Sequence, residues 1–303
     1  MTYDPAAHAA AGPGGDTPPG PSSSAGSDGV ERAGHPAASD PSGAPNTAEP
    51  DPTDVSLPDD LVDAARTLFG DRLDLATAYA QLLATDGVLR GLIGPREAPR
   101  IWARHLLNCA AVAELIPTGS SVLDVGSGAG LPGIVLAIAR PDLSVVLVEP
   151  LARRTSFLTE AVTALGLDSS VAVLRTRAEE LAGGGPVGLP VPADIVTARA
   201  VAPLDRLAGW CLPLTTLGGR VLALKGSSAA EEVAEYGKAV ARLGGAAPEV
   251  RHCGAGLIDP PTTVVEIVRE RLVGPALRDA LAKRRAAARA ESGRRGGGRA
   301  RGR

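Results

Sequence analysis

The run Val122-Leu123-Asp124-Val125-Gly126-Ser127-Gly128-Ala129-Gly130-Leu131-Pro132-Gly133 constrains this chain more than any other stretch. An apolar segment holding one acid leads into closely spaced glycines and a proline. The pattern predicts a buried strand, a tight turn and a helix beginning near Pro132, where a missing N–H is tolerated. Glycines there permit positive φ and let a ligand approach the backbone closely. The next apolar run, Val145-Val146-Leu147-Val148, ends in Glu149, twenty-five residues after Asp124. An acid at the tip of a second strand stands where ribose hydroxyls are bound in nucleotide folds.

Two ligands fit this arrangement. Gly128-x-Gly130-x-x-Gly133 satisfies the dinucleotide fingerprint, with Glu149 nineteen residues beyond Gly130. A lone G-x-G-x-x-G is weak evidence. The frame Asp124-x-Gly126-x-Gly128-x-Gly130 is instead an acid followed by alternating glycines, the loop form that receives S-adenosylmethionine (SAM). That ligand has no pyrophosphate to need a helix dipole. The second frame is favoured because the acid precedes the glycines and because of the strand pattern that follows.

Residues 56–117 read as helical. Ser56, Pro58, Asp59 and Asp60 form a helix start. A second helix is predicted over 72–85, with Leu75, Ala78, Tyr79 and Leu82 on one face, and a third from Ile101 through His105, Leu106 and Cys109 to Ala113. From residue 120 the period changes. Short β-rich runs at 121–125, 144–149, 171–175, 193–198 and 220–224 alternate with helical stretches, as in a parallel sheet covered on both faces. The last runs, about 247–257 and 262–269, are joined only through Asp259-Pro260-Pro261, which allows an antiparallel pair and no crossover helix. The expected fold is therefore α/β and Rossmann-like, a SAM-dependent methyltransferase fold. It has a mostly parallel seven-stranded sheet ending in an antiparallel pair, and an N-terminal helical extension.

Composition separates the ends from this core. Residues 1–55 hold ten Pro, eight Gly and eight acids against one Arg, too few large apolar groups to offset chain entropy. Residues 278–303 are the opposite, with ten Lys/Arg against two acids. The expected organisation is a disordered acidic tail (1–55), a helical region (56–117), a SAM-binding domain (118–272), and a helix with a basic Arg/Gly-rich tail (273–303). No apolar run approaches the ~20 residues of a membrane span, and the acidic start, with no basic segment leading into an apolar one, is expected to be neither a secretory signal nor a transit peptide. Cys109, Cys211 and Cys253 are widely spaced and odd in number, matching neither a disulfide framework nor a zinc pattern. No metal site is expected, and the expected compartment is the reducing cytoplasm.

The motifs "RHLLNC" (104–109) and "GSGAGLPGI" (126–134) resemble those of the small-subunit ribosomal RNA methyltransferase G family, also called glucose-inhibited division protein B. "EPLARRTSFL" (149–158), "RAEEL" (177–181), "DIVTARAVAPL" (194–204) and "ALKG" (223–226) follow in the family's order. The resemblance covers about residues 56–270. The stretch "GVLRGLIGPRE" departs from the family's usual pattern before the Arg-His helix, and both tails lie outside the resemblance. The resemblance implies N7 methylation of one guanine in the 530 loop of 16S rRNA, with SAM as donor and S-adenosylhomocysteine as product. It implies a partner that is 16S rRNA or the 30S subunit, and it places cofactor contacts on Gly126, Leu131, Glu149, Ala178, Glu179 and Arg199. Gly128 and Gly130 join them from the loop pattern.

Guanine N7 carries a free lone pair even inside a base pair, so no catalytic base is required and alignment can supply most of the rate. No catalytic residue is certain. Arg199 and Lys225, at the ends of consecutive parallel strands, are the candidates. Arg199 suits the methionyl carboxylate or an RNA phosphate; Lys225 suits a phosphate or is a solvated strand-end charge. Arg104, His105, Arg153 and Arg154 complete the RNA-binding candidates. His105 reads as a packed or RNA-facing histidine more readily than a proton carrier. Arg153 and Arg154 open a helix where positive charge is disfavoured, which fits a phosphate partner or a surface ion pair equally. The basic tail from Lys283 either binds RNA non-specifically or is a solvated tail. A monomer is the default. Two other readings compete: another SAM-dependent methyltransferase, and an NAD-dependent oxidoreductase, which lacks Tyr-x-x-x-Lys here. A non-catalytic SAM- or RNA-binding module is a third.

Overall fold

A computed structural model describes residues 55–199 and 202–274. The expected acidic tail (but for Val55) and the basic tail lie outside the described residues. Seven strands form one sheet in the order β3-β2-β1-β4-β5-β7-β6. They are β1 (Ser121–Val125), β2 (Ser144–Val148), β3 (Val171–Leu174), β4 (Ala193–Arg199), β5 (Thr215–Leu224), β6 (Glu249–Cys253) and β7 (Thr262–Val268). The first five run parallel, and β7 inserts antiparallel between β5 and β6.

Alternation along each strand sends successive side chains to opposite faces. On β1, Val122 and Asp124 point to one face while Leu123 and Val125 join the other core. The first face carries α1 (Val62–Phe69), α2 (Leu73–Leu82), α3 (Leu107–Ala111), α4 (Gly133–Ala139) and α5 (Ala152–Ala164). The second carries α6 (Ala178–Leu181), α7 (Leu204–Cys211) and α8 (Ala229–Arg242). The N-terminal helices thus share one continuous apolar core with α4 and β1. Packing begins at Val55, whose carbonyl oxygen accepts a 2.9 Å hydrogen bond from the buried Trp102 indole.

The helix after the glycine loop starts at Gly133 with Pro132 as its N-cap, near where the sequence places it. Three local expectations change. The second helix ends its α-type winding at Leu82 and continues as a π turn over Leu83–Gly87. The third is not one regular helix. A 3₁₀ turn with Pro99 inside it leads into a π turn over Ile101–Leu106, and only Leu107–Ala111 is α-helical. Proline removes a backbone donor and disturbs the regular winding around it. β5 also begins five residues earlier than its apolar run, since backbone pairing with β4 continues past a register shift near Ala193.

Candidate active site

The glycine loop joins β1 to α4 at the carboxyl edge of the parallel strands. It is held from within by Asp124, which is buried. One carboxylate oxygen accepts from the Gly133 amide at 3.1 Å and the other from the Thr197 hydroxyl at 3.0 Å. Burial pushes the Asp124 carboxyl up to about 6, against the opposing pull of those hydrogen bonds. Ser127, a turn residue, donates from its hydroxyl to the Asp124 carbonyl at 2.8 Å. Gly126, Gly128 and Gly130 all have positive φ, at 71°, 57° and 94°. A side chain at Gly130 would strike Ile134 and the Tyr79 hydroxyl at 2.8 Å or less. Tyr79, fully buried on α2, donates from that hydroxyl to the Ala129 carbonyl.

Glu149 follows β2 and faces the same loop. Its carboxylate accepts from the Gly128 amide at 3.0 Å and the Leu151 amide at 3.0 Å, with Arg154 at 3.6 Å. Arg154 therefore forms an ion pair within the site, while Arg153 is exposed. Leu131 is buried in the core, and its amide donates to the Ser127 carbonyl at 3.2 Å. Ala178 and Glu179 are the first residues of α6, where amides precede the first intrahelical bonds. Ala178 is buried and Glu179 exposed.

Arg199 ends β4 and reaches back to the N-terminal helices. Its guanidinium donates to Nδ1 of His105 at 2.9 Å, and Nε2 of His105 lies 3.2 Å from Glu97. Glu97 also pairs with Arg104 at 3.1 Å. Burial, reinforced by Arg199, lowers the His105 imidazole to about 4. Three sequence candidates, Arg199, His105 and Arg104, are thus joined through Glu97, which carried no sequence signal, into one polar chain. Lys225 is placed apart from it. Its ammonium donates to the Ala202 carbonyl and to Glu232 of α8, each at 2.8 Å, so its charge is paired within the fold. Asp124, Tyr79 and Thr197 also went unassigned. A lone acid inside an apolar strand was the available signal for Asp124.

The same geometry discriminates between the two ligands that the loop pattern admits. A dinucleotide sets its pyrophosphate on the amides at the start of the helix after the first strand. Here Pro132 has no N–H, the Gly133 amide is taken by the Asp124 carboxylate, and Ile134 donates to Gly130 at 2.8 Å. A protein carboxylate already occupies the place of the phosphate. SAM needs no anion site there. The positive-φ Gly128 has nothing nearer a Cβ position than the Gly126 carbonyl at 3.8 Å, leaving an open cradle beside Glu149. The residues present fit SAM, and the molecule is a Rossmann-like, SAM-dependent methyltransferase.

Comparison with known proteins refines the class. The sequence model of the family described as rRNA small subunit methyltransferase G matches residues 72–259. A protein of Salinispora tropica named ribosomal RNA small subunit methyltransferase G is 71% identical over 227 residues, 75% of this chain and 94% of that one. Its namesake in Rhodococcus jostii is 56% identical over 225 residues, 74% and 94% of the two chains. Among solved structures, a SAM-dependent O-methyltransferase of Thermotoga maritima is 16% identical with a TM-score of 0.41, covering 55% of this chain and 66% of that one. The chain belongs to the rRNA small subunit methyltransferase G family.

Proposed function

We propose that this protein transfers a methyl group from SAM to N7 of a guanine in the 530 loop of 16S rRNA, releasing S-adenosylhomocysteine. The family match covers residues 72–259, a span that includes the glycine loop, Glu149, the start of α6 and Arg199. When bound, SAM supplies an electrophilic methyl on a sulfonium leaving group, and guanine N7 needs no prior deprotonation to accept it. The chain's own work is then alignment. The Gly126–Gly130 loop receives the methionyl part. Glu149 accepts from the ribose hydroxyls, the amides of Ala178 and Glu179 meet the adenine edge, and Arg199 holds the methionyl carboxylate or an RNA phosphate.

One observation carries the alignment reading. His105, the histidine at the cleft, has both ring nitrogens engaged, Nδ1 by Arg199 and Nε2 by Glu97. A histidine so occupied is a positioned acceptor, not a free base. Arg104 and the exposed Arg153 remain candidates for RNA phosphates. The basic tail adds a non-specific contact, with a salt slope of about −0.7 per phosphate neutralised on single strands. Among the described residues no helix is long and apolar enough to cross a membrane. We assign the protein to the cytoplasm as a monomer acting on 16S rRNA or the 30S particle.

The test is labelled-methyl transfer from SAM to unmodified 16S rRNA, free and in 30S particles, mapped by borohydride–aniline cleavage. A single cut in the 530 loop is expected. No incorporation on either substrate, with SAM binding confirmed by calorimetry, would move the assignment to another methyl acceptor.

A further inference from the structure

Arg199 ends β4, and its guanidinium meets a side chain brought in by the N-terminal helical region, His105. A guanidinium has only donors. At 2.9 Å from Arg199, Nδ1 of His105 is therefore the unprotonated acceptor nitrogen, and the ring proton sits on Nε2, where it points at Glu97 at 3.2 Å. Glu97 also pairs with Arg104 at 3.1 Å. The tautomer is thus set by its two neighbours and not by solvent. A π turn over Ile101–Leu106 carries His105 to this position, and such turns recur at functional sites.

We propose that His105 is a positioning residue for Arg199: its neutral imidazole, steered by Glu97, fixes the guanidinium in the orientation that grips the anionic group of the cofactor or the RNA. This deepens the methyltransferase reading above and rests on it. The charged and titratable groups around the pair come from several elements. Glu97 precedes the π turn and Arg104 lies within it, while Asp124 of β1, Cys109 of α3 and the Tyr79 hydroxyl of α2 all act on or feel Arg199. Burial and the Arg199 charge lower the His105 imidazole to about 4, on the side of the neutral ring near pH 7. A protonated ring would set N–H against N–H and positive charge against positive charge, and the guanidinium would lose its anchor.

Substitution can separate positioning from packing. The Oδ1 atom of Asn falls near the place of Nδ1 and keeps an acceptor for Arg199. The amide of Gln extends to the place of Nε2 and does not. On 30S particles, His105→Ala and His105→Gln should lose about tenfold to a hundredfold in kcat/KM, as expected for a misplaced binding group. His105→Asn should stay within about threefold of the parent. Equal losses for Asn and Ala, with unchanged unfolding midpoints, would overturn the proposal.

A second measurement needs no variant and no activity. The full chain has 4 histidines, few enough to resolve individually. In the ¹⁵N-histidine-labelled protein, long-range ¹H–¹⁵N correlation should show His105 as the Nε2–H tautomer, neutral at pH 5.5. An Nδ1–H tautomer or a protonated ring at that pH would refute the proposal. If the parent protein methylates nothing while the tautomer is as stated, the assigned reaction fails and the positioning of Arg199 stands.

Discussion

The hydroxyl of Tyr79 donates a 2.5 Å hydrogen bond to the carbonyl of Ala129, tying α2 to the middle of the glycine loop. Both residues are buried, so the bond lies between the N-terminal helices and the glycine loop. Tyr79→Phe leaves the ring in place and strands the carbonyl. A loss of about 1–2 kcal/mol in stability is expected, with weaker SAM binding and unchanged RNA binding. Denaturant unfolding and calorimetric titration with SAM check it.

Asp124 gives the protein a pH dependence of unusual sign for a carboxylate. Its folded value of about 6 lies above the ordinary 3.8, so the native state holds the proton more tightly than the unfolded chain. Its contribution therefore falls as pH rises from about 4 to 6 and is level above, by about 3 kcal/mol in all. Asp124→Asn removes this slope. Urea unfolding of parent and variant at several pH values between 4 and 7.5 should show a stability difference that varies across that window and is constant above it.

Gly133 packs α4 against the sheet with no room for a methyl group. A Cβ there would lie 2.3 Å from Leu147 Cδ2 and 2.8 Å from Asp124 Oδ2. Gly133→Ala should destabilise by about 1–3 kcal/mol, the cost of overpacking. Gly183→Ala is the control, since nothing lies within 4 Å of its Cβ position. Thermal unfolding of the two variants should separate clearly.

Glu149→Gln keeps the size of the side chain and removes its charge beside the Gly128 amide. Loss of charge-assisted bonds of about 1.5–3 kcal/mol corresponds to roughly tenfold to a hundredfold weaker SAM binding. Calorimetry measures this directly, and an affinity equal to the parent's would remove Glu149 from the cofactor site.

Lys225 is expected to matter for the fold rather than for RNA charge. Lys225→Met breaks the 2.8 Å bonds to Glu232 and Ala202, and should cost about 1–3 kcal/mol in stability. A double-mutant cycle with Glu232→Gln should reveal the coupling. The slope of RNA affinity against salt should not change, because a cation already paired in the free protein releases no phosphate counterion. A shallower slope would return Lys225 to the RNA interface.

The backbone path was legible in residues close together along the chain. The Val122–Gly133 run announced strand, turn and helix. The spacing of β-rich runs announced the parallel order, and Asp259-Pro260-Pro261 announced an antiparallel end. Glu149 followed from its place after β2. These features depend on side-chain period and on local backbone freedom, which a short window of sequence contains. The partners of the charged groups were not legible. His105 and Arg199 lie 94 residues apart, Tyr79 and Ala129 50, and Asp124 and Thr197 73. Lys225 looked like a free strand-end cation until α8 folded back and brought Glu232 beside it. The start of α4 read as a possible phosphate site until Asp124 turned out to occupy it. Sequence determined the path of the chain and the edge of the sheet at which the candidate site residues gather. Tertiary structure alone decided which charges remain available there, because a charge is free or paired according to what other parts of the chain bring within about 3–4 Å of it.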